Sequence, residues 1–350
     1  MPQVVWIMWA EGRPRGRAAR PGRGRARARA GNAVARGVGG PYRTGVTAPD
    51  LVRTARPDDA AGVVALRAVV HPYLVRGVES TRQMISEPPP GEEWTAFVAE
   101  VDSTVVGWVS AYRNVRTSAT GSGEIAMLHV HPGHRGRGLG TALLDAALDH
   151  LAPLGLHRLR TWVSVDSLPF AEKRGFTPSR ALRYALLDLR TPPPAPALPA
   201  GVRTPTLTKL EPRRLYTTYA AASADEPEDV ASDALSYENW CYEVWNNVGL
   251  DRHASTAVEV DGELVAFSLV KRDGDRMWSD MTATLPAYRG RGLARLAKLA
   301  ALHRAGTSGV TRAFTSNDEA NAPMLAVNAR LGYQPVATLW SCLRDLPAGG

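Results

Sequence analysis

The sequence predicts an α/β protein made of two tandem domains of one kind, and three observations carry that reading. The first is Arg135-Gly136-Arg137-Gly138-Leu139-Gly140, which stands between an apolar strand-like run at 124–130 and a helical recurrence of Ala142, Leu143, Leu144, Ala147, Leu148 and Leu151. The second is the return of this unit about 155 residues later, as Arg289-Gly290-Arg291-Gly292-Leu293-Ala294 between an apolar run at 281–285 and a helix from Leu293. The third is that flanking landmarks repeat in the same order. Glu100-Val101-Asp102-Ser103 is answered by Glu259-Val260-Asp261-Gly262, and Arg174-Gly175-Phe176 by Leu331-Gly332-Tyr333. A period this long marks duplicated domains rather than solenoid repeats. A chain of 350 residues has room for two domains, each with its own core.

Taken in order, residues 1–48 are rich in arginine, glycine and alanine and have almost no periodicity, which predicts a disordered arm. No aromatic residues alternate with its arginines to stack on bases, so the arm reads as an incidental extension, and a contact by it is the one route to nucleic acid. The first domain, 49–190, opens with a strand at 51–54. Pro57-Asp58-Asp59 then starts a helix backed by Val63, Val64, Leu66, Val69 and Val70. Runs at 94–101 and 104–112 form a hairpin across Asp102-Ser103. The glycine unit follows, then a strand at 159–164, a short helix at 167–174 and a closing strand at 182–189. Residues 191–201 form a proline-rich, extended linker. The second domain, 202–350, repeats the plan with strands at 254–260, 263–271 and up to Leu285, a helix from Leu293, a strand at 312–316, a helix at 321–331 and a last strand at 336–343. Tyr237, Trp240, Cys241, Val244 and Val248 share one helical face, which predicts core packing rather than an aromatic cage. The acidic stretch Asp225, Glu226, Glu228, Asp229 and Asp233 reads as a solvated helix start or a lure for a cationic amine.

The net charge of +8 belongs to the arm. Ten arginines between Arg13 and Arg43 face one acidic residue, Glu11, so the remainder of the chain is close to neutral. Two cysteines, Cys241 and Cys342, give neither a disulfide framework nor zinc-type spacing, so no metal is expected and a reducing, cytoplasmic setting is the simplest. No run of about 18 apolar residues suggests a membrane span.

Strand, glycine turn and helix together aim backbone N–H groups and a helix N-terminus at one point, which suits an anionic group such as phosphate. Glycine is needed because a side chain there would keep the anion off the main chain. The alternatives fit poorly. A Walker loop needs Gly-Lys-Ser/Thr, and a dinucleotide fingerprint should open a domain with Gly-x-G-x-x-Gly spacing.

A strand running into Arg-x-x-Gly-x-Gly/Ala and a helix, followed by a strand and a short helix ending in Gly-Phe/Tyr, resembles the GNAT superfamily of acyl-CoA-dependent N-acetyltransferases in its tandem form. The resemblance implies two GNAT-like domains, each a mixed, splayed, largely antiparallel sheet flanked by helices. It implies acetyl-CoA as cosubstrate and a small-molecule primary amine as acceptor, attacked directly in a ternary complex, in a monomer or homodimer away from membranes. Arg135, Gly136, Arg137, Gly138, Gly140 and Thr141, and Arg289, Gly290, Arg291, Gly292 and Ala294, would then hold the diphosphate. Leu128 and Val130, and Thr282 and Thr284, would pair with the pantetheine arm. Glu124 occupies the family's place for the general base, and Asp280, displaced by two from Trp278, is the corresponding candidate. The asparagine and tyrosine expected near the last helix are Ser164 and Ala171 in the first domain, Asn321 and Asn328 in the second. Only Asn321 keeps its type, and neither domain has the tyrosine that would serve as general acid. That leaves a second reading, in which one domain is a silent acyl-CoA-binding or scaffold module.

Overall fold

A computed structural model of the chain describes residues 47–117, 120–223 and 235–347. Most of the arm and the acidic stretch at 225–233 lie outside the described residues. The first half runs β1 (Val52–Thr54), α1 (Ala60–Val70), α2 (Val78–Ser86), β2 (Thr95–Val101), β3 (Thr104–Arg113), β4 (Ser122–Val130), α3 (Leu139–Leu151), β5 (Arg158–Ser164), α4 (Leu168–Glu172) and β6 (Thr177–Asp188). The second runs β7 (Val202–Arg203), α5 (Pro212–Ser223), α6 (Tyr237–Trp240), β8 (Thr256–Val260), β9 (Glu263–Asp273), β10 (Arg276–Thr284), α7 (Leu293–Thr307), β11 (Arg312–Asp318), α8 (Ala322–Arg330) and β12 (Gln334–Asp345).

All these strands join in one sheet, ordered β1-β2-β3-β4-β5-β12-β6-β11-β10-β9-β8-β7. The fold is α/β with a mixed sheet, as the resemblance implies. β4 with β5 and β10 with β11 are parallel, and the other neighbours are antiparallel. The sequence did not reveal how the halves join. Each half's last strand has crossed into the other: β12 lies between β5 and β6, and β6 lies between β12 and β11. Hydrophobic alternation specifies which face a strand buries but not which neighbour it pairs with, so an exchange between two similar halves leaves no mark on the pattern.

The seam is closed by an apolar cluster of Leu74, Val75, Leu182, Tyr184, Trp278, Phe314 and Leu339. Ion pairs between the halves add to it, Arg180 to Asp318 at 2.9 Å and Arg116 to Glu243 at 2.6 Å. Carbonyls of the loop after α1 reinforce the seam: Pro72 and Leu74 accept from Arg276. The linker lies along α7, where His303 Nδ1 and the Pro193 carbonyl are 2.8 Å apart.

Two helices were not visible in the sequence. α2 buries only Thr81 and Met84 from a polar segment, and α5 buries Leu215, Thr218, Tyr219 and Ala222 behind a basic start. The aromatic stretch packs as expected around Trp240 and Val244, against Tyr219 and Phe267. Its face ends early: a π-helical turn over Cys241–Trp245 closes the helix, and Val248 is exposed.

Candidate active site

Both glycine turns fold alike. After β4, a 3-10 turn over Pro132–His134 leads into Arg135, whose Nε donates to the Val130 carbonyl at 3.1 Å and pins the loop to the strand it left. Gly136 and Gly138 hold φ of 74° and 86°, a left-handed conformation that costs glycine nothing and other residues about 1–2 kcal/mol. Gly138 is the N-cap of α3 and supplies no side-chain cap, so the first N–H groups of the helix stay open to an anion. In the second half Arg289 Nε donates to Thr284 at 3.3 Å, Gly290 and Gly292 have φ of 77° and 75°, and Gly292 caps α7. Space remains above both turns: a Cβ on Gly136, Gly290 or Gly292 would meet nothing within 4 Å.

The strands leading in also match. β4 pairs with β5 only from Ser122 to Ile125, and β10 with β11 only from Arg276 to Trp278, after which each pair splays. Each first strand carries an extra residue at the split, Met127 and Leu128 opposite Val109, Asp280 and Met281 opposite Leu269. Such a bulge leaves ladder groups unpaired beside the gap.

Within the split the two halves differ. The first holds a cleft of about 890 Å³. Of the expected residues, Leu128, Val130, Arg135, Gly136, Gly138, Gly140 and Thr141 line it. Its apolar walls include Leu144, Val163, Ala171 and Phe176. Residues that the sequence did not single out for the site also line it: His71, Tyr73, Trp162, Phe170 and Arg174. Arg174 donates to Thr141 Oγ1 at 2.5 Å and lies 3.6 Å from the Phe170 ring centre. The only hint of it was the Arg-Gly-Phe landmark, read as a helix end. Arg137 and Glu124 do not line the cleft.

In the second half a hydrogen-bonded network occupies the matching space. Lys298, 1% exposed, donates from Nζ to Asn328 Oδ1 at 2.6 Å and to Thr315 at 3.4 Å, with its ammonium 4.9 Å from the Tyr333 ring centre. Asn328 in turn donates to Asn317, and Thr315 donates to the Ser279 carbonyl across the split. Burial pushes the Lys298 amine down to about 7. Of the expected second-half residues, Thr282, Thr284 and Asn321 are buried in the interior of this half, and Arg291 is exposed. Thr282 bonds Ser268 at 2.9 Å and Thr284 is buried beside it. Asn321 accepts from the Met324 N–H as the cap of α8, leaving its Nδ2 without a partner. Arg291 folds over Tyr288, 4.9 Å from the ring centre, and Ala294 lies in the first turn of α7.

Neither carboxylate expected as a base is presented to the cleft. Glu124 faces Arg160 across the β4–β5 ladder, one rung before the last pair of Ile125 and Thr161; Arg160 Nε donates to it at 2.5 Å, and both side chains are buried. Asp280 is held by Lys271 at 3.0 Å with its side chain nearly covered. Each carboxylate is already engaged by a cation. Among the described residues no helix is long and apolar enough to cross a membrane.

The sequence profile of the acetyltransferase (GNAT) family matches twice, over residues 67–176 and 215–333. Curated relatives include proteins named mycothiol acetyltransferase. The one from Thermobispora bispora is 34% identical over 227 residues, 61% of this chain and 72% of that one. The one from Saccharomonospora viridis is 30% identical over 242 residues, 65% and 76% of the two chains. In fold, the chain is similar to a tandem GNAT protein from the clavulanic acid biosynthesis pathway, with TM-score 0.66, 22% identity and coverage of 85% and 98%. A GCN5-related N-acetyltransferase from Sphaerobacter thermophilus gives TM-score 0.63 at 20% identity, covering 84% and 95%. Two profile matches over two halves that share one splayed-strand plan make this chain an acetyltransferase of the GNAT family, in tandem form.

Proposed function

We propose that the protein moves an acetyl group from acetyl-CoA to a primary amine on a small molecule, and that it does so in the first cleft only. The observation that carries this reading is the continuous space joining the Gly136 and Gly138 cradle to the walls formed by Leu128, Val130, Leu144 and Val163. The cradle suits a diphosphate through open N–H groups at the start of α3, with Arg135 and Arg174 adding charge at the mouth. The apolar walls suit a pantetheine arm. Backbone groups released by the bulge at Met127 and Leu128 suit the thioester carbonyl, whose oxygen gains charge as the amine attacks.

The second half then acts as a scaffold. Its network of Lys298, Asn328 and Asn317 fills the room that a pantetheine arm would need, and its last strand contributes Ala337 and Thr338 to the first cleft. The mycothiol acetyltransferase relatives make the unacetylated precursor of mycothiol the first acceptor to assay, ahead of polyamines, aminoglycosides and protein N-termini. Calorimetry should show one equivalent of acetyl-CoA bound per chain, and mass spectrometry with labelled acetyl-CoA should identify the acetylated amine. Absence of binding, or binding that Gly292→Asp removes and Gly138→Asp leaves intact, would overturn the reading.

A further inference from the structure

We propose that His71 and Tyr73, from the loop between α1 and α2, are the acid–base pair of the first cleft. This rests on acetyl transfer taking place there. The family position for the acid is Ala171, which has no proton to give, and Glu124 is tied to Arg160. Of the residues that line the cleft, Tyr73 is the one tyrosine, and His71 stands beside it with Nδ1 2.7 Å from the Tyr73 hydroxyl.

The loop places the pair across the split. The His71 ring lies 4.5 Å from that of His129 on β4, one residue past the bulge. The Tyr73 ring lies 4.8 Å from Tyr184 on β6, which packs in turn on Trp278 of β10. One partner is therefore anchored on the β4 side of the opening and the other on the far side. Burial, with Arg135 and Arg67 nearby, holds the His71 imidazole down to about 4. It is neutral at physiological pH and has a lone pair to offer. Burial raises the Tyr73 hydroxyl above its ordinary range, so it keeps its proton until an acceptor forms.

The proton balance closes in the tautomer with the His71 proton on Nδ1, donated to Tyr73. The amine nitrogen bonds to the thioester carbon and gives up its proton to His71 Nε2. As the carbonyl re-forms and the C–S bond breaks, the sulfur takes the Tyr73 proton, and Tyr73 recovers one from His71 Nδ1. The products are the amide and the free CoA thiol, and His71 ends as the other neutral tautomer.

Tyr73→Phe, His71→Gln, His71→Ala and, as a control on the one carboxylate among the residues lining the cleft, Asp166→Asn would be compared with the wild type. The readouts are acetyl-CoA affinity by calorimetry and release of CoA with the best amine of the acceptor screen, or with water where no amine reacts. We expect kcat to fall about 100-fold or more in the His71 and Tyr73 variants with acetyl-CoA affinity within about threefold. Added imidazole should restore turnover to His71→Ala and not to Tyr73→Phe, a rescue that a structural role would not give. Normal affinity with unchanged kcat in the His71 and Tyr73 variants, or a large loss in Asp166→Asn alone, would overturn the pair and leave the transfer reading standing. Loss of acetyl-CoA binding by the wild type would overturn both.

Discussion

The two splits start from the same backbone and end as different objects. Leu144 and Val163 in the first half correspond by position within their elements to Lys298 and Asn317 in the second, and Ala171 and Phe176 correspond to Asn328 and Tyr333 by their distance from the shared Gly-Phe/Tyr landmark. Four apolar walls leave a cleft, whereas Lys298, Asn328 and Asn317 bond to one another, with Tyr333 packed against the amine, and close it. A glycine cradle thus marks where an anion could be gripped. The residues behind it decide whether anything can follow the anion in. Burying a polar group is costly unless it is hydrogen-bonded, and the bonds joining Lys298, Asn328 and Asn317 make the centre of the second split a built interior.

The sharpest test of this contrast is to spoil each cradle in turn. Gly138→Asp puts a negative charge and a left-handed non-glycine residue at the start of α3, close against Ala48, and should cut turnover at least 100-fold, about 2.7 kcal/mol. Gly292→Asp should leave turnover within twofold. If both variants lose activity together, the halves are not unequal.

Exchanging the linings should come next in size. Leu144→Lys with Ala171→Asn should weaken acetyl-CoA binding about tenfold or more, roughly 1.4 kcal/mol. Lys298→Leu with Asn328→Ala should raise the calorimetric stoichiometry from one toward two. An unchanged stoichiometry would show that more than this network closes the second split.

The buried amine offers a gentler probe, read as stability against pH. Lys298 is held down to about 7 in the folded chain by burial among Thr315, Asn328 and Tyr333, while the unfolded chain keeps its ordinary value. Between these values the unfolded state binds more protons, so the urea midpoint should rise from pH 7 to about 10. Lys298→Met should flatten that rise.

The smallest effects on rate should come from the carboxylates. Glu124→Gln should change kcat less than about threefold while lowering stability by about 2–3 kcal/mol, because Arg160 loses its buried counter-charge. Asp280→Asn should leave turnover unchanged.

The duplication, the cradles and most strands were legible because they depend on local chemistry: glycine at a left-handed turn, alternation in a strand, spacing in a helix. Leu128, Val130 and Arg135 could be placed at the cleft for that reason. Glu124 could be found on its strand but not understood there, since its partner Arg160 is a cross-strand neighbour. His71 and Tyr73 gave no motif at all. They enter the cleft from a loop far back in the chain, through packing on His129 and Tyr184. The closed second split leaves a trace in the sequence, the regular spacing of Asn317, Asn321, Met324 and Asn328, a pattern that helix capping and packing explain as readily as cofactor contacts do. Lys298, the centre of the network, stands in a helical run with no motif of its own.

The crossing of β6 and β12 bears on how the molecule comes into being. A ribosome finishes residues 47–188 long before it reaches Gln334–Asp345, yet the first half's β5 has no neighbour on its outer side until those final residues emerge. The nascent first half therefore waits with an open edge, the kind of surface on which polypeptides stick to one another. Clipping a dozen residues from the carboxyl end would fall hardest on the cleft encoded nearest the amino end, and neither half would be expected to survive as a separately expressed piece.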